Sequence, residues 1–320
     1  MIERVRFANL PTPVTHLPRI SKALGGPEIW VKRDDLTGLA FGGNKTRKLE
    51  FVLADALKNN AQTLISVGAA QSNHCRQTAA LAAKFGLDCI LVLSGDPEED
   101  YSGNLLVDAL VGAEIVWTDQ ESRETTLTDT YEKAKKEGRK PYLIPLGASN
   151  PIGSVAYAIA FDELMGQMDK VDWVVFPSSS GGTHAGLVMG AARNHWAGHI
   201  LGISVDHSVD ELQNIVSNLA TLASGNIGDP ITFTPDQIMV NADYLGGGYG
   251  IVGEPELEAI GLFARYEGLL LGPVYTARAA AGLIDLIRKG YFKPADRVVF
   301  WHTGGTPTLF ATKYAKLLNL

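Results

Sequence analysis

Three glycine-rich polar segments carry most of the residues in this sequence that could do chemistry. In "FGGNKTRKLEF", residues 41–51, Lys45 follows Gly42, Gly43 and Asn44 and precedes Leu49, Val52, Leu53, Ala56 and Leu57, which recur at helical spacing. Lys45 is expected just ahead of that helix, where the chain is still turning. A lysine there can be a solvated charge, a phosphate ligand or a nucleophile. In "SSSGGTHAGL", residues 178–187, serines, Gly181, Gly182 and Thr183 lie between an apolar run and a helical pattern. Backbone N–H groups of such a turn, with hydroxyls and the helix dipole, form an anion site. The plainer alternative is a flexible turn with Thr183 as helix N-cap. No G-x-x-x-x-G-K-[ST] occurs, so the sequence asks for a bound phosphate rather than phosphoryl transfer.

Other reactive patterns are poor. "GYGIVG" fits G-x-G-x-x-G at Gly248, Gly250 and Gly253, but "NADYLGG" separates it from the nearest apolar run and Pro255 suits a first helical turn. No G-x-S-x-G supports a serine hydrolase of the common α/β kind. His74 and Cys75 are adjacent, and adjacent residues on a helix do not face each other, so Cys75 reads as a buried thiol. His184 and His302 can orient polar groups or be structural. The carboxylates of "DPEED", residues 96–100, read as a solvated face. There remain a lysine after Gly-Gly-Asn, a phosphate cradle and no nucleotide motif. Pyridoxal 5′-phosphate, held covalently by a lysine, satisfies all three.

The elements that would position these segments alternate. Short apolar runs predict strands over 64–67, 89–93, 115–117, 142–144, 171–176, 200–205 and 298–301. Helical patterns lie near 77–85, 104–110, 123–137, 154–168, 184–195, 210–223, 255–267 and 275–289, with Gly86, Gly138 and Gly290 as stops. Apolar strands alternating with helices predict an α/β fold of mainly parallel sheets covered by helices. Ligands bind beyond the carboxyl ends of such strands, and "GAAQSNHCRQ", "PSSSGGTHAG" and "HTGGTP" each follow one. At 320 residues the chain is expected to form one large or two linked domains. Its net charge of −7 argues against a nucleic-acid partner. No apolar run is long enough for a membrane span, and "MIERVRFANLPTP" lacks a signal-peptide core, so a cytoplasmic chain is expected. Two cysteines make no disulfide framework, and seven scattered histidines show no zinc spacing, so no metal is expected.

With these segments in order, "IWVKRDDLTGLAFGGNKTRKLEF", "GAAQSNHCRQTAALAAKFGL", "SSSGGTHAGL", "GGGYG", "LLLGPVYTARAAAGLIDLI" and "WHTGGTPTLF" together resemble the D-cysteine desulfhydrase/1-aminocyclopropane-1-carboxylate (ACC) deaminase family. These are pyridoxal-phosphate enzymes of fold type II, similar to tryptophan synthase β. The resemblance spans nearly the whole chain and is weakest over 96–139. It implies a Schiff-base lysine at Lys45 and a phosphate-approaching lysine at Lys48. It implies a phosphate loop of Ser180, Gly181, Gly182 and Thr183. Asn73 would hydrogen-bond the pyridine hydroxyl, and Ser72 would hold the substrate carboxylate with Gln71 and His74 nearby. Tyr249 and Tyr275 would be the active-site tyrosines. It further implies a homodimer, a small domain over 49–155, and a large cofactor-binding domain from 1–48 and 156–320.

Two positions separate the family's branches. The cyclopropane-opening enzymes carry a glutamate after the tyrosine of "PVY" and a leucine before the final Gly-Gly; here those places hold Thr276 and Thr303. A carboxylate near the ring nitrogen would keep it protonated, whereas a hydroxyl only hydrogen-bonds it and leaves a weaker electron sink. A weaker sink suits a substrate with a good β leaving group. The expected reaction is therefore β-elimination of D-cysteine to pyruvate, ammonia and hydrogen sulfide. L-cysteate cleavage, ACC deamination, cysteine-synthase-like β-replacement and binding without turnover are the alternatives. Gly272, Arg278 and Thr306 depart from the family pattern and are placed to reshape the pocket.

Overall fold

The computed structural model describes residues 2–97, 101–228 and 230–318. Of "DPEED", residues 98–100 therefore lie outside the described part. Two sheets organise the chain. The smaller is fully parallel, in the order β5 (Glu114–Thr118), β4 (Asp88–Ser94), β3 (Thr63–Ala69), β6 (Pro141–Ile144). The larger runs β1 (Val14–His16), β2 (Glu28–Arg33), β10 (Arg297–His302), β7 (Trp173–Ser178), β8 (His199–Ser204), β9 (Met239–Asn241). Only its edge strand β1 is antiparallel, paired with β2. The α/β class with mainly parallel sheets flanked by helices is as the sequence predicts.

Helices bury the strands on both faces. One face of the larger sheet packs against α1 (Pro18–Leu24), α9 (Glu254–Glu267) and α10 (Thr276–Arg288), with Ile29, Val31, Val175, Ile203, Val298 and Phe300 in the shared core. The other face packs against α6 (Pro151–Met165), α7 (Gly182–Arg193) and α8 (Val209–Ser224) through Val174, Phe176, Val299 and Trp301. The smaller sheet is covered by α2 (Asn44–Lys58), α3 (Asn73–Phe85) and α4 (Gly103–Leu110) on one side, and by α5 (Arg123–Lys136) on the other. Helix α2 serves both cores: Leu49, Val52 and Leu53 face the smaller sheet, while Phe51 joins the larger. Two short helices, α11 (Thr306–Leu309) and α12 (Thr312–Ala315), follow β10.

Several boundaries differ from those read off the sequence. Helix α2 begins at Asn44, so Lys45 sits in its first turn rather than ahead of it. Helix α6 begins at Pro151, earlier than expected, because Asn150 caps it by accepting from Gly153 N at 2.7 Å and proline fits the first turn. Helix α7 begins at Gly182 after Gly181 in the left-handed region, so Thr183 is inside the helix and is not its N-cap. Strands β1, β2 and β9 lie outside the expected set. In β2, "EIWVKR", the charged residues hide the pattern: Lys32 is fully buried, yet paired with Glu163 at 2.5 Å.

Beneath the junction of the two sheets lies a buried polar network. Asp34 accepts from Arg47 Nε and Nη2, from Tyr157 Oη at 2.5 Å and from Trp301 Nε1 at 2.8 Å, and Arg47 also reaches Glu163 at 2.8 Å. Arg47, Tyr157 and Trp301 come from α2, α6 and β10, so the network ties the N-terminal segment to all three.

Candidate active site

The carboxyl ends of the parallel strands of both sheets open onto one cleft of about 1020 Å³. Lys45 lines it. Its two neighbours are held from three sides: Asn44 N donates to Thr303 O at 2.9 Å, Thr46 N donates to Gln77 Oε1 at 2.8 Å, and Asn44 Nδ2 donates to Thr183 Oγ1 at 2.9 Å. The loop before it is unusual. Leu39, Ala40, Phe41, Gly42 and Gly43 all have positive φ. Arg76 of α3 holds this loop by donating to the carbonyls of Ala40 and Gly42, and Gly43 N donates to Asp34 O. A Cβ on Gly42 would stand 2.3 Å from Asp35 O, so glycine is required there.

Burial lowers the amine of Lys45 to about 8, and among the described residues no carboxylate counters it. Lys48, one turn along, is pushed well below its ordinary value by burial and then by the Lys45 charge. Its Nζ donates to Gly147 O and Ser149 Oγ, both at 3.2 Å. It stands directly behind the α7 N-terminus, where a Cβ on Gly182 would meet Lys48 Nζ at 2.7 Å and Ser149 Oγ at 2.6 Å. Ser149 Oγ and Ser180 Oγ are 2.8 Å apart. Two lysines without an acid, two serines and an open helix terminus fit a phosphate dianion.

On the facing side, Ser72 caps α3, accepting from Cys75 N at 3.2 Å, and lines the cleft with Asn73 and His74. His74 is buried, with Nε2 on Ser66 Oγ at 2.8 Å; because Ser66 donates onward to Ile144 O, Nε2 carries the proton. Burial and the two lysine charges push His74 well down, so it is neutral. The Tyr249 and Tyr275 hydroxyls are 2.7 Å apart in the same cleft. Tyr249 is 42% exposed, but that surface faces the cleft, and burial of its hydroxyl raises it to about 12; Tyr275 is also raised well above its ordinary value, by burial first and then by Tyr249. Both hydroxyls keep their protons at neutral pH.

Not every residue singled out in the sequence lines the cleft: Lys48 and Gly182 stand together just behind its wall. Gln71 does not line it either: its Nε2 donates to Ser102 O at 3.0 Å and its Oε1 accepts from Asn104 N at 2.9 Å, so its amide holds the start of α4. Thr303 lines the cleft, but Thr276 does not; its hydroxyl is turned onto Gly272 O at 3.0 Å. Thr276 is thus no direct neighbour of a ring in the cleft, contrary to the pairing with Thr303 drawn from the sequence. His184 lines the cleft, with Nδ1 on Ser178 Oγ at 3.1 Å, and burial lowers it to about 3. His302 is structural: Nε2 donates to Leu270 O and Nδ1 accepts from Gly304 N.

The glycines of "GYGIVG" build the loop that presents Tyr249, with positive φ at Gly248 and Gly250. Arg278, paired with Glu256 at 2.8 Å, fastens that loop by donating to Gly248 O and Ile251 O. Gly272 permits close approach, since a Cβ would stand 2.5 Å from Gly305 O, and Thr306 donates to Leu270 O. None of these three departures lines the cleft. Asn44, Ser149, Asp206 and His207 were not foreseen. Of these Asn44, Asp206 and His207 line it, and Asp206 directly follows β8, where the strand-end rule points.

Comparison with known proteins is consistent with this geometry. A family model described as pyridoxal-phosphate dependent enzyme matches residues 5–304. A crystal structure described as that of an ACC deaminase homologue superposes with a TM-score of 0.91 at 38% sequence identity, covering 99% of this chain and 96% of that one.

Proposed function

This chain belongs to the pyridoxal-phosphate dependent enzymes, its cofactor is pyridoxal 5′-phosphate, and from that premise we propose that it is a lyase eliminating the β-substituent of D-cysteine. The observation that carries the reading is the β10 end of the cleft. There Thr303 lines the cleft, Thr276 is turned onto backbone, and among the described residues no carboxylate lines the cleft at the end of β10, the place that a strong electron sink needs. Bound cofactor supplies the sink for the electron pair left when the α-proton departs.

The residues would act as follows. Lys48, Ser180, Gly181, Gly182 and Thr183 hold the phosphate, and Asn73 meets the ring hydroxyl. Ser72 holds the substrate carboxylate. Lys45, with its lowered amine, is the base for the α-proton. The neutral Tyr249–Tyr275 pair offers its proton as a hydrogen bond to the departing sulfur. The C–H and C–S bonds break, sulfur leaves with its electron pair, and water converts the released 2-aminoacrylate to pyruvate and ammonia. Closure of a small domain over 49–155 onto the rest of the chain would exclude water from the cleft. We also propose a homodimer.

The test is release of pyruvate and sulfide from D-cysteine, with L-cysteine, L-cysteate and ACC run beside it. The expected result is release from D-cysteine that vanishes in Lys45→Ala. Sulfite from L-cysteate, or 2-oxobutyrate from ACC, with D-cysteine inert, would assign the chain to a sister activity. A thioether formed only with an added thiol would mark β-replacement.

A further inference from the structure

We infer that Asn104 and Thr308, neither of which lines the cleft, are positioning residues that decide which end of the Asn73 amide faces the cofactor. The inference rests on reading Asn73 as the partner of the pyridine hydroxyl. An asparagine amide presents a donor at one end and an acceptor at the other, with nearly the same shape, so its neighbours decide its direction. Asn73 Oδ1 accepts from Asn104 Nδ2 at 2.8 Å and from Thr308 Oγ1 at 3.1 Å.

The sense of these bonds is fixed from outside. Asn104 Nδ2 also donates to Gln71 O at 2.9 Å, and a carbonyl can only accept. Thr308 Oγ1 lies 2.9 Å from the same Nδ2, and an amide nitrogen cannot accept, so the threonine proton goes to Asn73 while the two amide hydrogens serve Gln71 O and Asn73 Oδ1. Asn104 and Thr308 are 0% and 1% exposed, so no solvent competes for these groups. With Oδ1 doubly engaged, Asn73 has only its NH₂ to offer. That group points toward the Gly304–Gly305 loop at the cleft edge, where a Cβ on Gly305 would stand 3.0 Å from Nδ2.

A donor facing the ring oxygen favours its ionised form; a carbonyl facing it would favour the protonated form. The α4–α11 contact, remote from the reacting atoms, thereby sets the charge of the cofactor's ring oxygen. Asn104→Asp keeps the shape but cannot donate, so the Asn73 amide should turn. Thr308→Val removes one donor from a different element, and Thr308→Ser restores it.

The experiment is a pH titration of the visible absorbance of the cofactor-loaded protein, which reads proton uptake by the ring oxygen and not turnover. In Asn104→Asp and Thr308→Val the titration should move up by about one pH unit, the tenfold change expected for one hydrogen bond to a charged group. Thr308→Ser should titrate like the parent. Should Asn104→Asp fail to load cofactor, the Thr308→Val and Thr308→Ser pair decides. If Asn73→Ala moves the titration while loaded Thr308→Val does not, the positioning role is wrong. If Asn73→Ala itself leaves it unmoved, the reading of Asn73 fails and the inference falls with it.

Discussion

An amine that burial has pushed down to about 8 is a nucleophile near neutral pH, and an ordinary lysine is not. Trapping of a pyridoxal aldehyde on the cofactor-free chain, fixed by borohydride, should therefore rise with pH through about 8 and level off, and Lys45→Arg should abolish it. A rise centred near the ordinary lysine value would show that burial does not govern this group. Lys48 invites a different test, because its work is on the phosphate. Lys48→Ala should weaken pyridoxal 5′-phosphate by about tenfold to a hundredfold, as expected for a hydrogen bond to a charged group, and leave unphosphorylated pyridoxal unchanged in equilibrium titrations. Much of the cleft was legible in the sequence because its residues sit in glycine-rich polar stretches after strands, which packing alone does not explain. Gln71 and Thr276 were not, because spacing places a residue near a site without saying what its side chain bonds. Gln71 spends its amide on Ser102 and Asn104, and Thr276 its hydroxyl on Gly272.

The loop before α2 shows how one element sets a reactive side chain. Its six successive positive-φ residues, Gly38 to Gly43, are held by Arg76 and by Asp34 O. Gly42→Ala would place a methyl against the Asp35 carbonyl and should destabilise the chain by more than about 1–3 kcal/mol in urea titrations, since strain and clash act together. An unchanged midpoint would mean that the loop relaxes freely. Strands such as β3, β4 and β7 were visible as apolar runs because both faces are covered. Strand β2 was hidden by Lys32, a buried charge whose compensation by Glu163 is a distant contact that no local pattern carries.

Taken whole, the molecule hangs on the Asp34 network, which joins segments from the N-terminus to β10. Burial would raise the Asp34 carboxyl, but the Arg47 charge and the bonds from Arg47, Tyr157 and Trp301 outweigh it and hold it below its ordinary value. A depressed carboxylate contributes stability above its unfolded pKa and loses it as pH falls through the folded one. Asp34→Asn should cost about 3 kcal/mol at pH 7, because Arg47 loses its fully buried partner and keeps only Glu163. In urea titrations repeated down the pH scale that deficit should shrink toward acid. The proposed homodimer has its own check. Leu106 and Leu110 on α4 and Phe310 after α11 are exposed apolar side chains that a partner copy could cover, and light scattering should give twice the 34.3 kDa chain mass. A monomer at micromolar concentration would remove that proposal.

Cys75 and Cys89 are both buried, and burial raises both thiols above their ordinary range. Only a thiolate attacks a disulfide. The proposed reaction would place sulfide beside a substrate thiol, and an oxidant such as dioxygen turns these into cystine and persulfides, the agents that block exposed cysteines by exchange. This chain offers them nothing to exchange with, so its mass should stay unchanged after prolonged exposure to cystine.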